Sequence, residues 1–128
     1  MAVTSSNPVG RVIGTGSSRH GASIWMRERF SGLALAPLGI WFVAWAVSVS
    51  DGTYDEVRAS LATPLNTTFM LLFVGLSFWH AKLGVQVIVE DYVHHELWKG
   101  ATLLANLAVM ALLGTACAVA VLKVSLGS

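Results

Sequence analysis

The sequence predicts an all-α membrane protein with three transmembrane helices, and three observations predict it. Hydrophobic residues make up 55% of the 128-residue chain and charged residues only 12%, and the mean hydropathy is +0.67. A water-soluble domain of this size has too much surface to hide so much apolar material. The apolar residues also gather into three long runs, and each run is bounded by turn-forming or charged residues. The formal charge of +1 and the absence of a Lys/Arg cluster argue against nucleic acid as a partner. Cys117 is the only cysteine, which excludes an intrachain disulfide, a cysteine-based zinc site and a thiolate-bound iron–sulfur cluster within the chain. A redox centre here needs other ligands or belongs to a partner.

Residues 1–23 are rich in Ser, Gly, Asn and Thr, with Arg11 and Arg19 and no acid. This reads as a flexible polar tail. It has neither the apolar core nor the small-residue cleavage site of a secretory signal. Its Arg and Ser content resembles an organellar transit peptide, but Pro8 and four glycines oppose a continuous amphipathic helix, so the plain tail is the preferred reading. Residues 24–128 form the three-span membrane unit. Ser23 is placed to cap a short helical run-in, Ile24 to Arg29. The first span follows at about residues 30–49, twenty uncharged residues that cover the ~30 Å of a hydrocarbon core. Pro37 removes one backbone hydrogen bond within it and is expected to bend the helix.

Asp51 to Thr63 is the first loop. Asp51-Gly52 signals a turn, and Asp55, Glu56 and Arg58 suit a short surface helix. Pro64 ends that helix and fits the first turn of the next. The second span, about residues 65–89, is broken only by His80, Lys82 and Gln86, and is long enough for a tilted crossing. A polar connection over residues 90–100, with a break at Gly100, leads to the third span at about residues 101–122, and Lys123 marks its far boundary.

Basic residues near the span ends set the orientation. Arg11, Arg19, Arg27, Arg29 and Lys99 lie towards one side, Arg58 and Lys123 towards the other. The N-terminus is therefore expected inside, with Trp25 and Trp98 in an aromatic belt at the same interface. Inside means the cytoplasm of a bacterium or, as the alternative, the mitochondrial matrix.

The chemistry concentrates in residues 80–92. An ionisable group within a span is costly, so its default reading is functional. His80 and Asp91 share one helical stripe, offset by only about 20°, with Asp91 about 16 Å farther along the axis. A membrane histidine can bind haem iron through one ring nitrogen while the other donates a hydrogen bond. Equally, it can join two helices by a hydrogen bond. Gly84, one turn from His80, removes bulk where a flat macrocycle would approach. His20, His94 and His95 all lie in polar flanks, so a bis-histidine haem needs its second ligand from another polypeptide. Lys82 lies about 200° around from His80 and is expected to snorkel towards the headgroups or to meet an acid of a partner. Tyr92 carries a hydroxyl able to donate to a quinone carbonyl, with the Asp91 carboxylate beside it, although Asp-Tyr at a helix end also serves simply as an interface anchor. Glu90, His94, His95 and Glu96 read as a solvated loop without metal-ligand spacing.

His80, Gly84 and Asp91-Tyr92-Val93-His94 together resemble the signature of the small hydrophobic membrane-anchor subunit of succinate dehydrogenase, respiratory complex II. Arg29-Phe30-Ser31-Gly32 at the start of the first span, the polar loop, the histidine-bearing second span and the short third span extend the resemblance over about residues 24–122. The resemblance implies half of a heterodimeric helical bundle in which a b-type haem is shared with a second three-span cytochrome b anchor. His80 is then this chain's axial ligand, Tyr92 the hydrogen-bond donor to ubiquinone, and Asp91 its support. Arg29, with Arg27 also available, is similar to an arginine beside the haem propionates or at the edge of the quinone site. The resemblance places FAD on a flavoprotein subunit and the iron–sulfur clusters on an iron–sulfur subunit, so that succinate is oxidised on a partner chain while this chain tethers those subunits to the bilayer. The alternatives are the anchor of a quinol:fumarate reductase, a haem-free structural anchor, and a transport subunit in which Lys82, Glu90 and Asp91 relay ions.

Overall fold

The computed structural model describes residues 19–127. Residues 1–18, most of the expected tail, lie outside the described residues. The described chain is helical: α1 spans Arg19–Ser48, α2 Tyr54–Leu61, α3 Pro64–Tyr92 and α4 Glu96–Leu126. Among the described residues there is no strand. The three long helices, α1, α3 and α4, are each long and apolar enough to cross a membrane. Their apolar residues run all the way round the helix, the pattern of a segment solvated by lipid or by other helices rather than by water on one side.

Helix α1 opens within the stretch read as tail, so Ser23 lies inside the helix rather than at its cap. The helix continues through Pro37. The short surface helix expected in the first loop is α2. Its Glu56 carboxylate accepts hydrogen bonds from the Thr53 backbone N–H at 2.7 Å and from the Thr53 hydroxyl at 3.0 Å. This reach-back satisfies a donor that the first helical turn leaves free. These two bonds hold the Glu56 carboxyl below its ordinary range. Pro64 occupies the first turn of α3, where its missing N–H costs nothing.

The expected break at Gly100 does not occur. Helix α4 begins at Glu96, and only Val93 to His95 separate it from α3. Glycine inside a helix costs roughly 1 kcal/mol relative to alanine. Near the start of a 31-residue helix that penalty does not end the element.

Residue pairings show both neighbouring pairs to be antiparallel. Ser31 meets His80 and Phe42 stacks on Phe73 between α1 and α3, while Lys82 meets Asn106 and Phe78 meets Gly114 between α3 and α4. Among the described residues the backbones of α1 and α4 do not approach each other, so the three long helices form a row with α3 in the middle. The α1–α3 contact is sealed away from His80 by Phe42 on Phe73, with ring centres 4.7 Å apart, and by Trp41 edge-on to Phe69 at 5.2 Å. Such pairs are worth about 0.5–1.5 kcal/mol beyond their area. The α3–α4 contact depends on Gly114, where an added Cβ would lie 3.3 Å from Phe78. Small residues of this kind let helix backbones approach where lipid supplies no hydrophobic drive.

Helix α2 is fastened at the far end of the row. Asn66 Nδ2 donates to the Ser60 carbonyl at 2.8 Å, Thr67 Oγ1 to the Leu61 carbonyl at 2.6 Å, and Trp45 Nε1 to Ser60 Oγ at 3.0 Å. The row encloses almost nothing. Among the described residues only Leu61, Met70, Leu83 and Val89 are buried apolar residues, and bulky side chains such as Ile40, Leu104 and Leu112 are exposed.

Candidate functional site

His80 lies on the α1-facing side of α3, beside Ser31 and Gly32. Its Nδ1 is 2.9 Å from Ser31 Oγ, and Ser31 is buried at 7% exposure. The same Oγ donates to the Glu28 carbonyl at 2.9 Å. Gly32 is the residue that lets the ring lie there. A Cβ at that position would sit 3.2 Å from His80 Cε1, tighter than ordinary van der Waals contact. At Gly84, expected to clear space for a flat macrocycle, a Cβ would meet open space, with no atom within 4 Å beyond its own helix backbone. The glycine in contact with the ring itself is on the neighbouring helix.

Two recesses open from His80. A groove of about 750 Å³ runs along α1, lined by Gly32, Ala36, Gly39 and Ala44 with Ile40 and Val43. From Gly32 to Ala44 it extends about 18 Å along the helix. Residues 32, 36, 39 and 43 recur at helical spacing, so one stripe of α1 supplies it. A second recess of about 360 Å³ is lined by Trp25, Glu28, Arg29, Gly32 and His80. The Arg29 guanidinium lies 4.3 Å from the centre of the Trp25 ring, held by a cation–π contact. An imidazole, an apolar groove and an arginine thus meet around one point of α1.

These residues fit a haem. One ring nitrogen of His80 is engaged by Ser31 and the other is left for a metal. The groove is apolar and edged by small residues, as a flat macrocycle requires, and Arg29 supplies a cation at its rim for carboxylates. Among the described residues no group of three His, Cys, Asp or Glu could hold a bare metal ion. A single imidazole cannot by itself close a metal site within one chain, and it is a donor of the kind a haem would take.

Tyr92 and Asp91 are not brought to His80. They end α3 about 16–18 Å along its axis, and both are exposed, Tyr92 at 77%. His94 Nδ1 donates to the Tyr92 carbonyl at 3.1 Å, which leaves the phenol itself unengaged. Arg29 belongs with His80 rather than with Tyr92.

Lys82 faces the other way, towards α4. Its Nζ donates to Gln86 Oε1 at 2.7 Å, and Gln86 Nε2 donates to Glu90 Oε1 at 2.8 Å. The ammonium also lies 5.5 Å from the Trp79 ring centre. Side chains four apart on one helix face meet in this way. The lysine is therefore linked through Gln86 to the Glu90 carboxylate nearer the end of α3, and Glu90 is part of that ladder rather than of a loop. Behind it, Asn106 Nδ2 donates to the Lys82 carbonyl at 2.9 Å, while its buried Oδ1 finds no donor.

Ser31, Gly32 and Asn106 are the site residues that sequence reasoning does not single out. A polar or small residue within an apolar run is the available signal, but nothing in the run says which neighbour it meets.

Comparison with known proteins bears on the whole chain. Residues 4–122 match the family described as succinate dehydrogenase/fumarate reductase transmembrane subunit. The chain is 32% identical over 73 residues to the succinate dehydrogenase hydrophobic membrane anchor subunit of Rickettsia felis, covering 57% of this chain and 61% of that one. It is 29% identical over 85 residues to the same subunit of Rickettsia conorii, covering 65% and 68%. It is 30% identical over 83 residues to the succinate dehydrogenase membrane anchor subunit of Reclinomonas americana, covering 62% and 68%. The chain thus spans about six tenths to two thirds of the length of these relatives. No solved structure matches it. With three membrane-length helices and a match that runs almost end to end, the chain belongs to the family of succinate dehydrogenase/fumarate reductase transmembrane subunits.

Proposed function

We propose that this chain is the membrane-anchor subunit of a succinate:quinone oxidoreductase, sharing a b-type haem with a second three-span anchor and completing a ubiquinone site. The observation that carries the reading is the imidazole of His80, seated against Gly32 with one nitrogen engaged by Ser31, at the head of an apolar groove with Arg29 at its rim. The groove is open outward, so a second polypeptide would close it and would bring the other ligand to the iron. When bound, the haem serves as a one-electron carrier. His80 would bind its iron, Gly32 gives the imidazole room, and Arg29 would offset the charge of its carboxylates.

Tyr92 orients the quinone by donating its phenolic hydrogen to a carbonyl oxygen, and Asp91 beside it accepts protons from water at the membrane edge. Succinate oxidation, with FAD and the iron–sulfur clusters, lies on the flavoprotein and iron–sulfur subunits that this chain tethers. The excess of Arg and Lys at the N-terminal end supports a cytoplasmic N-terminus in a bacterial inner membrane. The family's description covers fumarate reductase as well, whereas the relatives named above all carry the succinate dehydrogenase name, which favours the forward direction.

The test is purification of the assembled complex in mild detergent with an absorption spectrum before and after reduction by succinate. A b-type signal that disappears with His80→Ala is the expected result. A colourless wild-type complex sinks the haem reading.

A further inference from the structure

We infer that Ser31 is a positioning residue for His80: it fixes the imidazole tautomer so that Nε2 carries the lone pair offered to iron. The inference rests on the haem reading of His80 proposed above and adds to it a residue on another helix, 49 positions away.

The argument is a count of protons. Ser31 has one hydroxyl hydrogen and two neighbours, each 2.9 Å from Oγ: the Glu28 carbonyl and His80 Nδ1. The carbonyl oxygen can only accept, so a hydrogen bond there uses the hydroxyl hydrogen. The second bond then forms only if Nδ1 brings its own hydrogen and donates to the oxygen lone pair. A neutral imidazole with its proton on Nδ1 has its lone pair on Nε2. The reverse assignment, hydroxyl to Nδ1, would leave two acceptor oxygens, Ser31 Oγ and the Glu28 carbonyl, 2.9 Å apart with no hydrogen between them. Burial removes water as a substitute partner, since Ser31 is 7% exposed. Gly32 adds the steric half of the device, because the ring lies so close to α1 there that a methyl group would displace it.

A hydrogen bond from the far nitrogen of a ligating histidine both orients the ring and raises its basicity, and losing such a partner typically costs about 10–100-fold in metal affinity. Ser31 therefore acts through His80 rather than on the iron, and its effect is read in the iron's electronic properties as well as in retention.

The experiment uses the whole purified complex carrying Ser31→Ala, Ser31→Cys or Ser31→Thr beside wild type and His80→Ala. Loss of the oxygen acceptor in the Ala and Cys variants is expected to weaken haem retention about 10–100-fold and to move the haem midpoint potential upward, as a less electron-rich ligand favours the reduced iron. Ser31→Thr, which keeps the hydroxyl, is expected to restore both. Ala and Cys variants with wild-type retention and potential overturn the role of Ser31 and leave the haem reading intact. A Thr variant as impaired as Ala overturns it too. If both Ala and Cys variants fail to assemble while His80→Ala assembles, Ser31 holds the helices rather than the ring, and the inference is again lost. A wild-type complex without haem removes the proposed function itself.

Discussion

His80 and Lys82 are two residues apart on α3 and lead to different chemistry. His80 turns to α1, where one nitrogen is engaged across the helix interface and an open groove lies beside the ring. Lys82 turns to α4, where it is linked along its own helix through Gln86 to Glu90. One polar group is bonded across to a neighbouring helix, the other along its own. Ionisability inside a membrane span is thus not by itself the mark of a site. What separates the two is where their bonds run: His80 is held across a helix interface and keeps one ring nitrogen beside an open groove, whereas Lys82 is linked through Gln86 to an acid of its own helix.

That contrast can be broken by experiment, beginning with the largest effect. His80→Ala should abolish the b-type absorption of the purified complex, whereas Lys82→Met should leave it unchanged; equal loss from both would erase the distinction. Next, Tyr92→Phe should lower quinone reduction five- to tenfold, about the effect of one hydrogen bond worth roughly 1 kcal/mol. Succinate oxidation with a soluble artificial acceptor should stay at the wild-type rate, and quinone turnover undiminished in this variant would remove Tyr92 from the site.

On the α4-facing side, Asn106→Ala should lower the thermal stability of the complex by about 0.6–1 kcal/mol, the scale of an interhelical hydrogen bond in a membrane, with haem content untouched. An altered haem spectrum there would show that the two sides of α3 are coupled. The smallest effect belongs to neither side. The Glu56 carboxyl is held below its ordinary range in the folded chain, so its contribution to the start of α2 is complete above the unfolded-state value and is lost as pH falls through the lower folded one. Amide protection factors of α2, referred to the intrinsic exchange rate at each pH, should fall on acidification through that window, and Glu56→Gln should flatten the dependence.

How much of this was legible in the sequence divides along the same line. The three crossings follow from composition and run length, because lipid demands about twenty apolar residues whatever the neighbours are. Pro64 and the acidic start of α2 act within one turn of themselves, and both were readable. The break expected at Gly100 fails because a local penalty carries no information about the length of helix that absorbs it. Ser31 and Gly32 stood in plain view beside Arg29, but their meaning depends on a register between α1 and α3 that no single run encodes. The sequence offers Lys82 the headgroups or an acid of a partner, and only the positions of Gln86 and Glu90 show a nearer link.

The row formed by α1, α3 and α4 has a last consequence. A palisade one helix thick has almost no interior, so a guest such as the haem proposed for it would keep lipid at its back until another protein wall arrived. Grip on the guest and grip on that wall are then a single linked quantity, each strengthening the other by the same factor. Starving the cell of the guest should therefore loosen the assembly itself, well before any electron is asked to move.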